Sequence, residues 1–158
     1  MRNLFLTNYT QQTFLDRIRD NLRHCDSFCF SVSFIKKAGL VLLLRDVDAA
    51  LARGCNGKLI TSTYQNFTDI ESLRSFFLLM NKYTQFECHL DSDSFHDDNY
   101  LTLGYHTKGY IFDFKDHSEI IIGSSNMTRY ALLKNVEWNL LLSEYRNSEV
   151  YCQTMSEF

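Results

Sequence analysis

The chain has 158 residues, enough for one domain with a full hydrophobic core and too few for two comfortable ones. Its 15% aromatic content, thirteen Phe included, supplies that core, and with no Pro and only six Gly there is no linker or hinge to divide it. A formal net charge of -3 excludes a broadly basic nucleic-acid surface, so any anion site must be a local basic pocket. No apolar run approaches membrane-spanning length. Five cysteines, an odd number, and no recognisable signal segment point to reduced thiols in a cytoplasmic protein. His24 beside Cys25 and Cys29 lacks the spacing and the second ligand pair of a zinc site, so no metal is expected there.

Leu4 and Leu6 around Phe5 mark a short edge strand or an arm. From Thr13 to His24, Phe14, Ile18 and Leu22 recur every four residues between charges, which predicts an amphipathic helix with a solvated polar face. Ser27 to Ile35 is small or apolar on both parities, the mark of a strand in the middle of a sheet covered on both faces. A second helix is expected over Ala38 to Ala52, stopped near Arg53-Gly54. Lys58 to Ser62 reads as a second buried strand. Thr68-Asp69-Ile70-Glu71 has capping-box spacing with Thr68 as the cap, ahead of Leu73, Phe76, Phe77 and Met80 at helical spacing.

Phe86 to Leu90 is a third strand, and the aspartate-rich stretch Asp91 to Asn99, with His96, reads as a surface loop that lacks the calcium-loop pattern. Strand–helix–strand–helix–strand is the α/β pattern. Paired strands follow over Tyr105 to Phe114 and Glu119 to Ile122, joined by a turn at Lys115-Asp116-His117. Thr128 to Leu133 is a short turn or helix, Val136 to Ser143 a further strand, and Ser148 to Phe158 the start of a helix. With no stop signal for that helix, the chain is expected to be an N-terminal fragment of a longer protein, forming one domain over 1–158.

The chemistry concentrates in the last third. His106 and Lys108, two residues apart on a strand, share a face, so a nucleophile and a phosphate clamp can act together there. The polar turn Gly123-Ser124-Ser125-Asn126, carried by the Ser118 to Ile122 strand, is placed to lie beside them. The remaining histidines, His24, His89, His96 and His117, read as structural or surface residues.

His106-x-Lys108-x4-Asp113 followed by Gly123-Ser124-Ser125-Asn126 resembles the HxKxxxxD and GSxN signature of the phospholipase D superfamily. Thr128 and Glu137 stand where that family carries a hydroxyl and an acid, while the hairpin between Asp113 and Gly123 is a few residues longer than usual. With Phe30 to Ile35 and Asn135 to Asn139 added, the match resembles the phospholipase D-like domain at the N-terminus of bacterial superfamily 2 helicases and restriction-type endonucleases. The resemblance implies a mixed β-sheet with helices on both faces and a metal-independent phosphodiesterase, a DNA nuclease, needing no cofactor.

It also implies roles. His106 forms a phosphohistidine, while Lys108 and Asn126 stabilise the phosphate charge with Ser124 or Thr128, and Glu137 holds the other imidazole N–H. Asp113 and Gly123 are then structural. The family's second histidine comes from a second motif copy, absent here, so a homodimer that completes the site is expected. A nucleic-acid-binding module without turnover, appended to an ATP-dependent helicase domain beyond Phe158, is the alternative. No Walker-type glycine loop lies in these 158 residues. A lipid substrate ranks third, because nothing forms an interfacial amphipathic helix, and no membrane partner is expected.

Overall fold

The computed structural model describes residues 3–63, 66–91 and 104–158. The expected loop falls outside these residues from position 92 onward, His96 included. Helix α1 (Phe14–His24) starts where Thr13 caps it. The Thr13 hydroxyl accepts from the Asp16 N–H and the Asp16 carboxylate accepts from the Thr13 N–H, a reciprocal box that satisfies two end donors. Its buried stripe is Phe14, Ile18 and Leu22.

Three parallel strands follow, β2 (Ser27–Val32), β3 (Asn56–Ser62) and β4 (Phe86–Asp91), joined by helical crossovers α2 (Lys37–Leu40), α3 (Leu44–Ala52) and α4 (Ile70–Lys82). After β4 the connections change in kind. Strands β5 (Lys108–Asp113), β6 (Ser118–Gly123) and β7 (Asn139–Glu144) run antiparallel to their neighbours, and β1 (Leu4–Leu6) pairs antiparallel with β7. A tight turn, closed by the Phe114 N–H donating to the His117 carbonyl at 2.9 Å, links β5 to β6. The result is a seven-stranded mixed sheet in the order β1-β7-β6-β5-β2-β3-β4. β2 lies inside it, as its two-sided apolar pattern requires.

One sheet face carries the main core. Phe28, Phe30, Tyr110, Phe112, Ile121 and Leu141 pack there against α1 to α4 and against Leu132 of α5 (Arg129–Leu133). The other face is covered only in part, by α6 (Glu149–Glu157), whose Tyr151 and Met155 pack with Phe158 over Cys29, Ile111 and Ile120. Helices therefore lie on both faces. Among the described residues no helix is long and apolar enough to cross a membrane.

Four local expectations need correction. The helix over Ala38 to Ala52 is two helices, because the chain breaks at Val41–Leu43 to bury both Leu40 and Leu43. The Leu42 carbonyl freed by that break accepts from the Arg19 guanidinium at 2.8 and 3.2 Å. α4 is capped by Asp69, whose carboxylate accepts from the Ser72 N–H, while the Thr68 hydroxyl accepts from the Ile35 N–H. Along α4, Phe77 and Met80 face solvent while Phe76 and Leu79 lie in the core. The strands placed at Tyr105 and Val136 begin at Lys108 and Asn139 instead, leaving His106 and Glu137 on the approaches to their strands.

Candidate active site

Antiparallel pairing sets what meets at one end of the sheet. The C-terminal end of β2 lies against the N-terminal end of β5, with Val32 opposite Lys108, and the C-terminal end of β6 lies against the start of β7, with Gly123 opposite Asn139. Every residue of the two motifs except Asp113 therefore falls at this one end. Gly123 is there because of space: a Cβ would overlap the Trp138 carbonyl and the Asn139 side chain. That close approach lets the Ser124 N–H donate to the Trp138 carbonyl and the Trp138 N–H donate to the Ser124 hydroxyl, both at 3.1 Å.

The Gly-Ser-Ser-Asn turn is then pinned from three sides. Ser124 Oγ donates to the Glu137 carboxylate. Buried Ser125 accepts from Asn139 Nδ2 at 2.9 Å on its hydroxyl and from the Tyr110 hydroxyl at 3.0 Å on its carbonyl. Asn126 Oδ1 accepts from the Phe34 N–H at 3.2 Å, so the amide NH2 is left without a partner among the described residues. Next along, the Met127 N–H donates to the Phe34 carbonyl, and Gly39 of α2 packs so closely on Met127 and Thr128 that no side chain would fit between them. Thr128 caps α5, its hydroxyl accepting from the Ala131 N–H at 3.2 Å.

His106 stands in the extended segment ahead of β5. Ser33 fixes that segment, its N–H and its hydroxyl both donating to the Thr107 carbonyl at 3.0 and 2.9 Å. The exposed imidazole lies edge-on to the Phe34 ring, centroids 5.8 Å apart, and makes no hydrogen bond among the described residues. Lys108 Nζ donates to the His106 carbonyl at 3.0 Å and sits 5.8 Å from the same Phe34 ring. Partial burial holds the Lys108 ammonium below the usual lysine range, and the Glu137 carboxylate acts in the opposite sense. The two charges therefore feel each other across the site.

Three predicted residues, His106, Lys108 and Asn126, converge around Phe34, while Glu137 acts on the Lys108 charge and holds Ser124, and Thr128 stands at the adjoining helix start. Glu137 does not reach the imidazole. Its carboxylate accepts from Ser124 and, at 3.1 Å, from Asn135 Nδ2. Asp113 lies at the far end of β5, where it accepts from the hydroxyls of Ser27, Ser118 and Tyr151 and faces Arg146 at 3.7 Å. Sequence reasoning missed Phe34 as the hub, along with Phe67, whose ring is tilted against it with centroids 4.7 Å apart, and Asn135 on the acid. The large aromatic after two serines in Ser31 to Phe34, at the end of a buried strand, is the only signal that could have marked the first. Among the described residues no three His, Cys, Asp or Glu side chains converge as metal ligands.

This arrangement has the parts for attack on an anionic ester: a partly desolvated ammonium and, without hydrogen-bond partners among the described residues, an imidazole and an amide donor on one rim. The family model described as cardiolipin synthase, PLD-like domain, matches residues 24–158. NucT from Helicobacter pylori is similar in fold, with a TM-score of 0.71 at 16% identity over 99% of this chain and 92% of that one. The phospholipase D family member Nuc from Salmonella typhimurium aligns with a TM-score of 0.66 at 16% identity, over 99% and 90%. TrmBL2, an archaeal chromatin protein whose structure shows a novel mode of DNA binding, gives 0.58 at 15% identity over 99% of this chain and 51% of that one. No curated protein sequence matches the chain. By its family model and its fold, the chain belongs to the phospholipase D-like domain family.

Proposed function

We propose that this protein is a metal-independent phosphodiesterase that cleaves DNA through a covalent phosphohistidine. The convergence of His106, Lys108 and Asn126 around Phe34 carries the reading. The neutral His106 imidazole attacks phosphorus, forming a P–N bond as the P–O bond to the leaving nucleoside breaks. Lys108 and the Asn126 NH2 hold the nonbridging oxygens, with the Thr128 hydroxyl able to donate from the helix start. Water then attacks phosphorus, giving its proton to the base that earlier protonated the leaving group; a P–O bond forms as the P–N bond breaks, releasing neutral His106 and a phosphate monoester. Glu137 acts on the ammonium rather than on the imidazole, and Ser124 fixes that acid in place.

The leaving alkoxide needs a proton, and His106 of a second subunit is the economical donor. An uncovered strip beside Gly123 supports such a partner. Ile122, Leu140 and Phe5 lie opposite one another across β6, β7 and β1, about half exposed (51, 47 and 53%), and Trp138, packed edge-on to Phe5 at 5.6 Å, is 67% exposed. The test is cleavage of DNA in EDTA by wild type and Lys108→Ala, with the oligomer sized alongside. Chelator-resistant cleavage by a dimer, lost in Lys108→Ala, is expected. Cleavage abolished by EDTA, or a fully active His106→Ala protein, would remove this mechanism.

A second reading is favoured by the occupation of Glu137. With its carboxylate given to Ser124 and Asn135, no acid among the described residues orients the imidazole, and the same pocket can hold a nucleic-acid phosphate without turnover. In that reading the chain is the DNA-binding part of an ATP-dependent helicase. DNA bound with the same affinity by wild type and His106→Ala, and cut by neither, is its signature.

A further inference from the structure

A cavity of about 510 Å³ opens beside the imidazole on the partly covered face of the sheet. Its floor and far wall are apolar, made by Ile111, Ile120, Ile122 and Phe158. His106 and Lys108 border it at one end, and Gln153, Thr154 and Glu157 of α6 form the opposite rim. Between them stands Ser31, whose hydroxyl lies 2.5 Å from both the Tyr105 and Thr107 hydroxyls, a cluster that can give and take hydrogen bonds at the mouth. We propose that this cavity takes a nucleobase of the substrate, the one attached to the sugar next to the phosphate held by Lys108 and Asn126. The assignment rests on the function proposed above for that phosphate site.

Gly109 is the observation that turns a gap into a binding site. It occupies the second position of β5, where glycine weakens a strand, and its φ is not in the left-handed region. Nor does packing demand it. A Cβ placed there would meet nothing nearer than Ser31 Cβ at 4.0 Å. Gly123, by contrast, is forced by backbone contact. A strand residue that could carry any side chain and carries none leaves the cavity floor open between Ser31 and Ile122, its partners on the two neighbouring strands.

The shape and chemistry fit a flat heteroaromatic ring. Apolar walls receive its faces, and the hydroxyl, amide and carboxylate groups on the rim meet its ring nitrogens and exocyclic groups. An acyl chain would leave those polar groups facing hydrocarbon. The cavity is continuous with the anion site through His106 and Lys108, so base and phosphate are held by one surface.

Binding of deoxyadenosine 5′-monophosphate and of 2-deoxyribose 5-phosphate, each titrated by NMR or calorimetry, tests this. Wild type is expected to bind the nucleotide about tenfold or more tightly than the sugar phosphate. Gly109→Val, which fills the floor with a strand-favouring residue, is expected to bind both alike. Thr154→Trp, which fills the cavity from α6, gives the same readout should the first variant misfold. Equal affinities in wild type, a preference that survives both fillings, or tighter binding of a short-chain phosphatidic acid than of the nucleotide would each overturn the assignment. Equal but measurable affinities would leave the phosphate site standing, whereas no binding of either ligand would sink both. A base preference without hydrolysis of any phosphodiester would sink the proposed chemistry and leave the cavity its role.

Discussion

Strand β5 ends in two polar groups that the fold treats in opposite ways. At its C-terminal end Asp113 is buried and accepts from Ser27, Ser118 and Tyr151, with Arg146 beyond them. Just ahead of its N-terminal end His106 is exposed, held through its backbone neighbours, with its imidazole bonded to nothing among the described residues. A carboxylate whose lone pairs are all spoken for contributes to stability and has nothing left for chemistry. An imidazole kept free while its main chain is pinned has the reverse properties, and the family motif spans both.

Exchanging the two roles by mutation gives the largest contrast. His106→Asn is expected to lower the rate of phosphodiester cleavage by about 10⁴-fold or more, because the covalent route is lost, with the midpoint of denaturation unchanged. Asp113→Ala is expected to do the opposite. Losing a buried acceptor that serves three hydroxyls should lower stability by about 2–3 kcal/mol, seen in urea melts, while kcat of the folded fraction stays near wild type. A destabilised His106→Asn or an inactive, stable Asp113→Ala would break the contrast.

The middle-sized effect concerns the two faces of the sheet. The α1-to-α5 face is closed, whereas the α6 face leaves Ile122, Leu140, Phe5 and Trp138 open. Leu140→Lys places a charge in that open strip without touching the closed core. It is expected to shift the protein to monomer in light scattering and to cut activity by about 10²-fold, the size of losing a general acid, with little change in melting temperature. A monomeric variant of full activity would show that the leaving group's proton comes from within one subunit.

How much of this could be read from the chain alone follows the same division between local and non-local forces. The four-residue recurrence of Phe14, Ile18 and Leu22, the two-sided apolar run of β2, and the hairpin between β5 and β6 are local signals, and the helix and mixed sheet they imply are the ones found. The convergence of the His-x-Lys and Gly-Ser-Ser-Asn elements was legible because a short turn forces β5 and β6 together. The break between α2 and α3 was not legible, since the Leu42 carbonyl it frees is satisfied by the distant Arg19 guanidinium, which donates to it. Phe34 was missed for a similar reason. Its importance lies in a backbone N–H given to Asn126, ninety-two positions away, and in a ring that His106, just ahead of β5, and Lys108, at its start, both approach.

Glu137 offers the smallest effect and the sharpest one. Its carboxylate accepts from Ser124 and Asn135 and raises the Lys108 pKa against the lowering caused by burial. Lys108 must be charged to hold phosphate, so activity should fall as pH rises through its pKa, which lies below that of an ordinary lysine. Glu137→Gln keeps the shape and most of the hydrogen bonding but deletes the charge that favours the ammonium. The Lys108 pKa then falls further, and the alkaline limb of the kcat/KM profile moves to lower pH. At a pH well below that limb the loss should be only about tenfold, the scale of a supporting residue that orients others. An acid serving only to hold Ser124 and the turn would leave the limb where it is in wild type. An acid that reached the imidazole during turnover would instead move the acidic limb, because the group whose proton it shares would be His106 and not Lys108.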